Sequence, residues 1–229
     1  MTIRELWLER FGVDAPRKIV CVGLNYVDHA AEGGRQVPEA PILFAKFASA
    51  LVGPDEPIVL PREEPHVDSE AELAVVIGEG GRRIDAADAL AHVAGYTVGN
   101  DVSARTIQRK DGQWVRAKSF DTFGPLLPGL VPVDELGDGS GLRITQRLSG
   151  ERLQDANTSD LIFDVPTLIA HASGAFTLEP GDVILTGTPS GVGIFRDPPV
   201  PMRDGDTVEI EIERIGVLSN PVVAEVAPV

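Results

Sequence analysis

Apolar and polar positions alternate along this chain in short pieces. Runs of β-branched and apolar residues, bounded by turn residues, predict strands at Lys18–Gly23, Ile42–Lys46, Glu70–Ile77, Ala94–Asn100, Leu142–Leu148, Asp182–Thr186 and Val208–Ile215. Helical spacing is rarer. Asp85 reads as an N-cap for a helix to about His92, and further helices fit Ser103–Arg109 and Val165–Gly174. Scattered prolines and glycines, 18 and 24 of them, suit many short strands joined by turns. The pattern predicts a β-dominated α+β fold, with an N-terminal segment 1–17 and a single domain over 18–229.

One strand departs from simple alternation. Glu70 and Glu72 fall on the same face, roughly 7 Å apart along the strand, and that face continues with Ala74 and Val76. Buried carboxylates are costly without a cation, so a bound divalent metal is the economical explanation. The chain carries its own control. In Val208-Glu209-Ile210-Glu211-Ile212-Glu213 the alternation is complete, and those glutamates read as a solvated face. A solvated face stays open as an explanation for Glu70 and Glu72 at this point.

Other chemistry is spread along the chain. A helical turn capped by Asn25 or Asp28 would put His29 and Glu32 three residues apart on one face, as a surface pair or as an imidazole general base oriented by a carboxylate. Gly33 and Gly34 follow, so the element should be short and mobile. Asp101 ends the Ala94–Asn100 strand, either to cap the next helix or to complete a metal site. Three carboxylates without His or Cys in reach describe a hard oxygen site for Mg2+ or Mn2+. Arg105 and Gln108 would share a helix face, and Lys118 lies between Ala117 and an apolar-aromatic turn that could direct it inward. The turn from Leu185 to Gly193 is glycine-rich but lacks the lysine of a phosphate-binding loop, which argues against nucleotide binding. Its hydroxyls and N–H groups would suit a carboxylate.

Charge narrows the partners. Thirty-five acidic residues against 20 basic ones leave −15, which disfavours nucleic acid and anionic membranes. A small anionic substrate would need local positive charge. The single cysteine, Cys21, lies in an apolar run and reads as a buried, inert thiol; with no signal-peptide pattern at the N-terminus, a cytoplasmic location is expected.

Taken together, Val22 to His29, Glu70 to Gly78, Gly99 to Arg105, Lys118 to Phe123, Asn157 to Asp164 and Thr186 to Gly193 resemble the fumarylacetoacetate hydrolase family, over about Lys18 to Val223. The lack of a long N-terminal portion is similar to its compact acylpyruvate hydrolases and oxaloacetate decarboxylases. The resemblance implies a mixed β-roll, usually a homodimer, with Mg2+ or Mn2+ on Glu70, Glu72 and Asp101. It also implies a water-activating His29–Glu32 dyad on a lid, Lys118 at the reacting carbonyl or enolate, and Arg105, Gln108, Thr188 and Lys46 near the substrate. Three positions depart from the family pattern: Thr106 where Asp is common, Phe47 where Pro is common, and Ser69 where a bulky aromatic is common. The implied chemistry is cleavage of a C–C bond in a small 2-oxo acid, by acylpyruvate hydrolysis or oxaloacetate decarboxylation. Isomerisation of a hydroxy-diene dicarboxylate and a metal-binding protein without turnover are the alternatives.

Overall fold

The computed structural model describes residues 1–226. Two five-stranded sheets dominate. In the first, the order is Ile42–Lys46, Ile19–Gly23, Val183–Leu185, Ala71–Ile77, Val93–Asn100; only Ile19–Gly23 and Val183–Leu185 run parallel. In the second, the order is Glu151–Asn157, Arg143–Leu148, Thr207–Ile212, Gly216–Ala224, Ile58–Leu60, with only the last pair parallel. Two-stranded ribbons pair Leu51–Val52 with Gly124–Pro125 and Val67–Asp68 with Ser103–Ala104. This is a β-dominated α+β fold. Among the described residues no helix is long and apolar enough to cross a membrane.

The strand Ala71–Ile77 is buried along its whole length, with the burial on its two faces serving different ends. Leu73, Val75 and Ile77 join Tyr96, Val98, Ile144 and Ile210 in the main core. Ala74 and Val76 face a second cluster with Cys21, Leu185, Ile3, Leu6 and Trp7. Glu70 and Glu72 therefore extend a dry face, whereas Glu211 and Glu213 are exposed as the complete alternation predicts. Cys21 is fully buried, and burial pushes its thiol up.

Several elements lie elsewhere than the sequence pattern placed them. A helix covers Ile3–Phe11, closed by a capping box in which Thr2 and Glu5 bond each other's backbone N–H, so residues before 18 pack into the same body. Trp7 Nε1 ties it down by donating to Gly181 O at 2.8 Å. The helix expected from Asp85 is only a 3-10 turn, Ala89–His92, and Asp88 beside it makes no capping hydrogen bond. The helix expected at Ser103 begins at Arg105 instead, because Ser103 and Ala104 pair as a strand with Val67 and Asp68. Val165–Ala175 is helical, capped by Asp164 with Pro166 in the first turn.

Candidate active site

Strand register assembles the carboxylates. Ala71 pairs with Asn100, which sets Glu70 opposite Asp101, and Asp101 N–H donates to Glu70 O at 3.0 Å. Glu72 faces Gly99 in the same ladder. Glu70, Glu72 and Asp101 are all buried, and one oxygen of each lies within 4.8 Å of the others. Asp101 does not cap the following helix; its carboxylate is taken by lysines.

Those lysines differ in what they reach. Lys118 Nζ donates to Glu70 Oε2 at 2.8 Å and to Asp101 Oδ2 at 2.5 Å, and lies 5.0 Å from the centre of the Phe44 ring. Burial opposes its charge, but Asp101 and Glu70 outweigh that and hold its pKa above the ordinary lysine range. Lys46 Nζ donates to Asp101 Oδ1 at 2.5 Å and to Val102 O at 3.1 Å. It does not line the cavity, so the expected substrate contact is corrected: Lys46 pairs with Asp101 instead.

Arg105 is the third buried cation. Its Nη2 donates to Glu70 Oε1 at 2.5 Å and its Nη1 to Gln108 Oε1 at 3.0 Å. Burial would raise the Glu70 carboxyl, but Arg105 and then Lys118 outweigh it and hold it below the usual carboxylate range. Glu72 is pushed the other way, first by burial and then by Asp101 and Glu70. No ion pair reaches Glu72 among the described residues; its carboxylate accepts from Gly187 N–H at 2.8 Å. Gly187 has φ 101°, and an added Cβ would stand 2.7 Å from Asn25 Cβ, so only glycine turns that N–H inward.

Asp68 is the residue that sequence reasoning passed over. It has the parity of Glu70 and Glu72, which was the available signal. Its carboxylate accepts from Ile194 N–H at 2.9 Å, from Gly193 N–H at 3.2 Å and, more distantly, from Arg105 at 3.4 Å. Glu64, also passed over, is buried and accepts from the N–H groups of Thr106 and Ile107 at the start of the Arg105 helix. Thr106 thus contributes backbone rather than the carboxylate common at its position. Ser69 Oγ accepts from Gln146 Nε2, and Ser69 does not line the cavity. Phe47 is exposed.

The dyad sits on the helix Val27–Glu32. His29 Nδ1 and Glu32 Oε1 are 2.8 Å apart. The N-cap position is Tyr26 rather than the expected Asn25 or Asp28, and it makes no side-chain cap bond; Asp28, in the first turn, accepts from His29 N–H at 2.7 Å and from Ser190 Oγ at 2.5 Å. Asn25 fastens the preceding loop to Phe163 and Thr186. Gly191 N–H donates to Glu32 Oε2 at 2.9 Å, and the Phe195 ring meets the His29 ring edge-on at 6.0 Å. The element expected to be a mobile lid is seated here. The turn's N–H groups at Gly187 and Gly191 hold the protein's own carboxylates, not those of a ligand.

A cavity of about 280 Å³ gathers these groups. His29, Glu70, Glu72, Asp101, Arg105, Gln108, Lys118 and Thr188 line it, with Phe44, Trp114 and Phe195 as apolar wall. Thr188 is fixed by Gln154 Nε2, which donates to its Oγ1 at 2.8 Å.

The family model for the fumarylacetoacetate hydrolase C-terminal region matches residues 18–223. The chain belongs to the fumarylacetoacetate hydrolase family. Curated relatives in it include oxaloacetate tautomerases of Bos taurus and Homo sapiens, each 54% identical over 213 residues, covering 92% of this chain and 68% of theirs. A 5-carboxymethyl-2-hydroxymuconate delta-isomerase from Mycobacterium smegmatis is 46% identical, with a TM-score of 0.83 over 93% of this chain and 80% of that one. A fumarylacetoacetate hydrolase from Exiguobacterium antarcticum is 41% identical, with a TM-score of 0.82 over 92% and 76%. The family's fold is thus this chain's fold. The two tautomerases are named mitochondrial, which overturns the expected cytoplasmic location. A lone buried thiol and an acidic balance report on redox state and solubility, and neither carries an address.

Proposed function

We propose that this chain is an enzyme that moves a proton at carbon 3 of a small 2-oxo acid of the oxaloacetate class, interconverting keto and enol forms through an enolate. The observation that carries this reading is the convergence of the His29–Glu32 pair, the Lys118 ammonium and the three-carboxylate cluster on one cavity. The names of the 54% identical relatives support the same reading.

Glu70, Glu72 and Asp101 would hold Mg2+ or Mn2+. The donor set is all hard oxygen. Charge balance fits as well: within the cluster around the cavity, the carboxylates of Asp68, Glu70, Glu72 and Asp101 outnumber the cations Lys46, Arg105 and Lys118 by one, and Glu72 is the member of that cluster without an ion pair, while Glu64 lies outside it on backbone N–H groups. When bound, the ion supplies Lewis-acid polarisation of the 2-oxo group.

The chain's own residues do the rest. Glu32 engages Nδ1 of His29, which leaves Nε2 to take the proton from carbon 3. The C–H electron pair becomes the C2–C3 double bond, and the carbonyl oxygen takes the negative charge. Lys118, kept protonated by its carboxylate neighbours, donates a hydrogen bond to that oxygen. His29 then returns its proton to the oxygen, giving the enol. Arg105, Gln108 and Thr188 orient the acid.

A second reading shares the enolate. With a distal ketone, the dyad would activate water and a C–C bond would break; with a distal carboxylate, CO2 would leave. The 41% identical fumarylacetoacetate hydrolase favours keeping this reading, and the 46% identical isomerase favours a proton shuttle on a diene acid. The test is a panel of oxaloacetate, an acylpyruvate and a hydroxy-diene dicarboxylate with added Mg2+ or EDTA, following enol absorbance and product formation. Faster keto–enol exchange that EDTA abolishes is expected. No acceleration of any reaction on the panel would leave a metal-binding protein without turnover.

A further inference from the structure

The mouth of the cavity carries charge that the chemistry at its floor does not use. Arg35 and Arg109 both line it. Arg109 stands on the helix Arg105–Asp111, next to Gln108. Arg35 follows the glycine pair after the helix Val27–Glu32, and its N–H donates to Ala30 O at 2.8 Å, so it belongs to the same backbone unit as His29 and Glu32.

Both residues are exposed, and among the described residues neither has a carboxylate within ion-pair distance. Surface arginines elsewhere are of two kinds: Arg17, Arg116, Arg143 and Arg152 each pair with Asp or Glu, whereas Arg10, Arg62, Arg82, Arg147 and Arg214 donate to backbone carbonyls. Among the described residues Arg4, Arg83 and Arg203 have no side-chain partner of either kind, but none of these arginines lines this cavity. In a chain of net charge −15, the cavity wall is inverted. Four basic residues, Arg35, Arg105, Arg109 and Lys118, face three acidic ones. A divalent cation on the triad would widen the positive excess, and low-dielectric walls focus that field on the cavity. One carboxylate at the triad end leaves a net positive charge at the mouth, which a second carboxylate would meet.

We propose that Arg35 and Arg109 form the subsite for the distal carboxylate of the substrate, and so select 2-oxo dicarboxylates over 2-oxo acids with a neutral tail. This rests on the reading that a 2-oxo acid binds at the triad. Arg35 moves with the dyad helix, so engaging the distal carboxylate also holds His29 over the substrate. Guanidinium forks suit a carboxylate, and each bond is charge-assisted.

The test compares oxaloacetate with its C4 methyl ester, which keeps the 2-oxo acid end and removes the distal charge. Wild type, Arg35→Ala, Arg109→Ala and the double variant are assayed for KM and kcat. Calorimetry with oxalate plus Mg2+ serves as a probe of the triad end alone. Each substitution should raise KM for oxaloacetate by about 10-fold or more, the scale of one hydrogen bond to a charged group. The ester's KM and the oxalate affinity should stay near wild type, and Arg→Lys should restore part of the loss. Variants that treat oxaloacetate as wild type does, or that lose diacid and ester equally, would overturn the subsite. Failure of wild type to bind oxalate or turn over either substrate would instead overturn the 2-oxo acid reading on which the subsite rests.

Discussion

Lys46 Nζ lies 2.5 Å from Asp101 Oδ1, and neither side chain has any exposure. The lysine ends an edge strand of the first sheet and reaches Asp101 without lining the cavity. Asp101 is thereby held between two ammoniums, with Lys118 on its other oxygen. Positioning of the Asp101 carboxylate, rather than contact with substrate, is the role this geometry supports.

Lys46→Met should therefore act through stability. Breaking one side of a buried pair leaves an uncompensated carboxylate and costs about 3–5 kcal/mol. Denaturant unfolding of wild type and variant measures it. A variant of wild-type stability whose KM alone rises would return Lys46 to the substrate.

Metal binding should be coupled to a proton at Glu72. Burial, Asp101 and Glu70 raise its carboxyl above the ordinary 4.5. Its contribution to apo stability is thus fully present below pH 4.5 and is lost as pH rises through the higher folded value. Glu70 has the opposite sign, with a contribution present above pH 4.5 and lost as pH falls through its lowered value. A divalent ion needs the Glu72 carboxylate ionised, so Mg2+ or Mn2+ affinity should climb with pH above 4.5 and binding should release a proton. Calorimetric titrations in two buffers of different protonation enthalpy detect the release. Flat affinity without proton release would remove Glu72 from the ligand set.

The dyad separates proton transfer from decarboxylation. His29→Ala should slow keto–enol exchange and acylpyruvate cleavage by about 10²-fold or more, the scale of a lost general base. Oxaloacetate decarboxylation needs chiefly enolate stabilisation and should fall much less, while Lys118→Ala should damage all three. Rates for the three reactions in both variants decide it. Equal losses in every reaction for His29→Ala would make the dyad a positioning device.

Asp68→Asn should loosen two parts of the site together. Asp68 bridges the N–H groups of Gly193 and Ile194, beside Phe195 and the His29 ring, to the guanidinium that holds Glu70. Losing the charge should lower kcat about 10-fold and speed amide exchange at 192–196, at a cost to unfolding free energy of about 1–3 kcal/mol. Exchange mass spectrometry alongside kinetics checks it. Unchanged exchange at 192–196 would leave Asp68 with only a local structural role.

Local pattern was enough to expose the strand at the centre of this protein. A period of two sets Glu70 and Glu72 on one face, and Ala74 and Val76 mark that face as dry, because side-chain alternation is a property of a few consecutive residues. The capping box of Thr2 and Glu5 was equally local and was a legible signal for the Ile3–Phe11 helix. Two-residue strands such as Val67–Asp68 and Ser103–Ala104 carry no period to read; only their partners define them. Tertiary structure decided the rest. Register with a strand remote in sequence put Asp101 opposite Glu70, and long-range packing paired Lys46 with Asp101 outside the cavity lining while Lys118 came into the cavity. Both lysines follow apolar residues and look alike locally. Which side of a carboxylate a cation approaches depends on where its backbone enters the fold, and that is set by contacts across the whole chain.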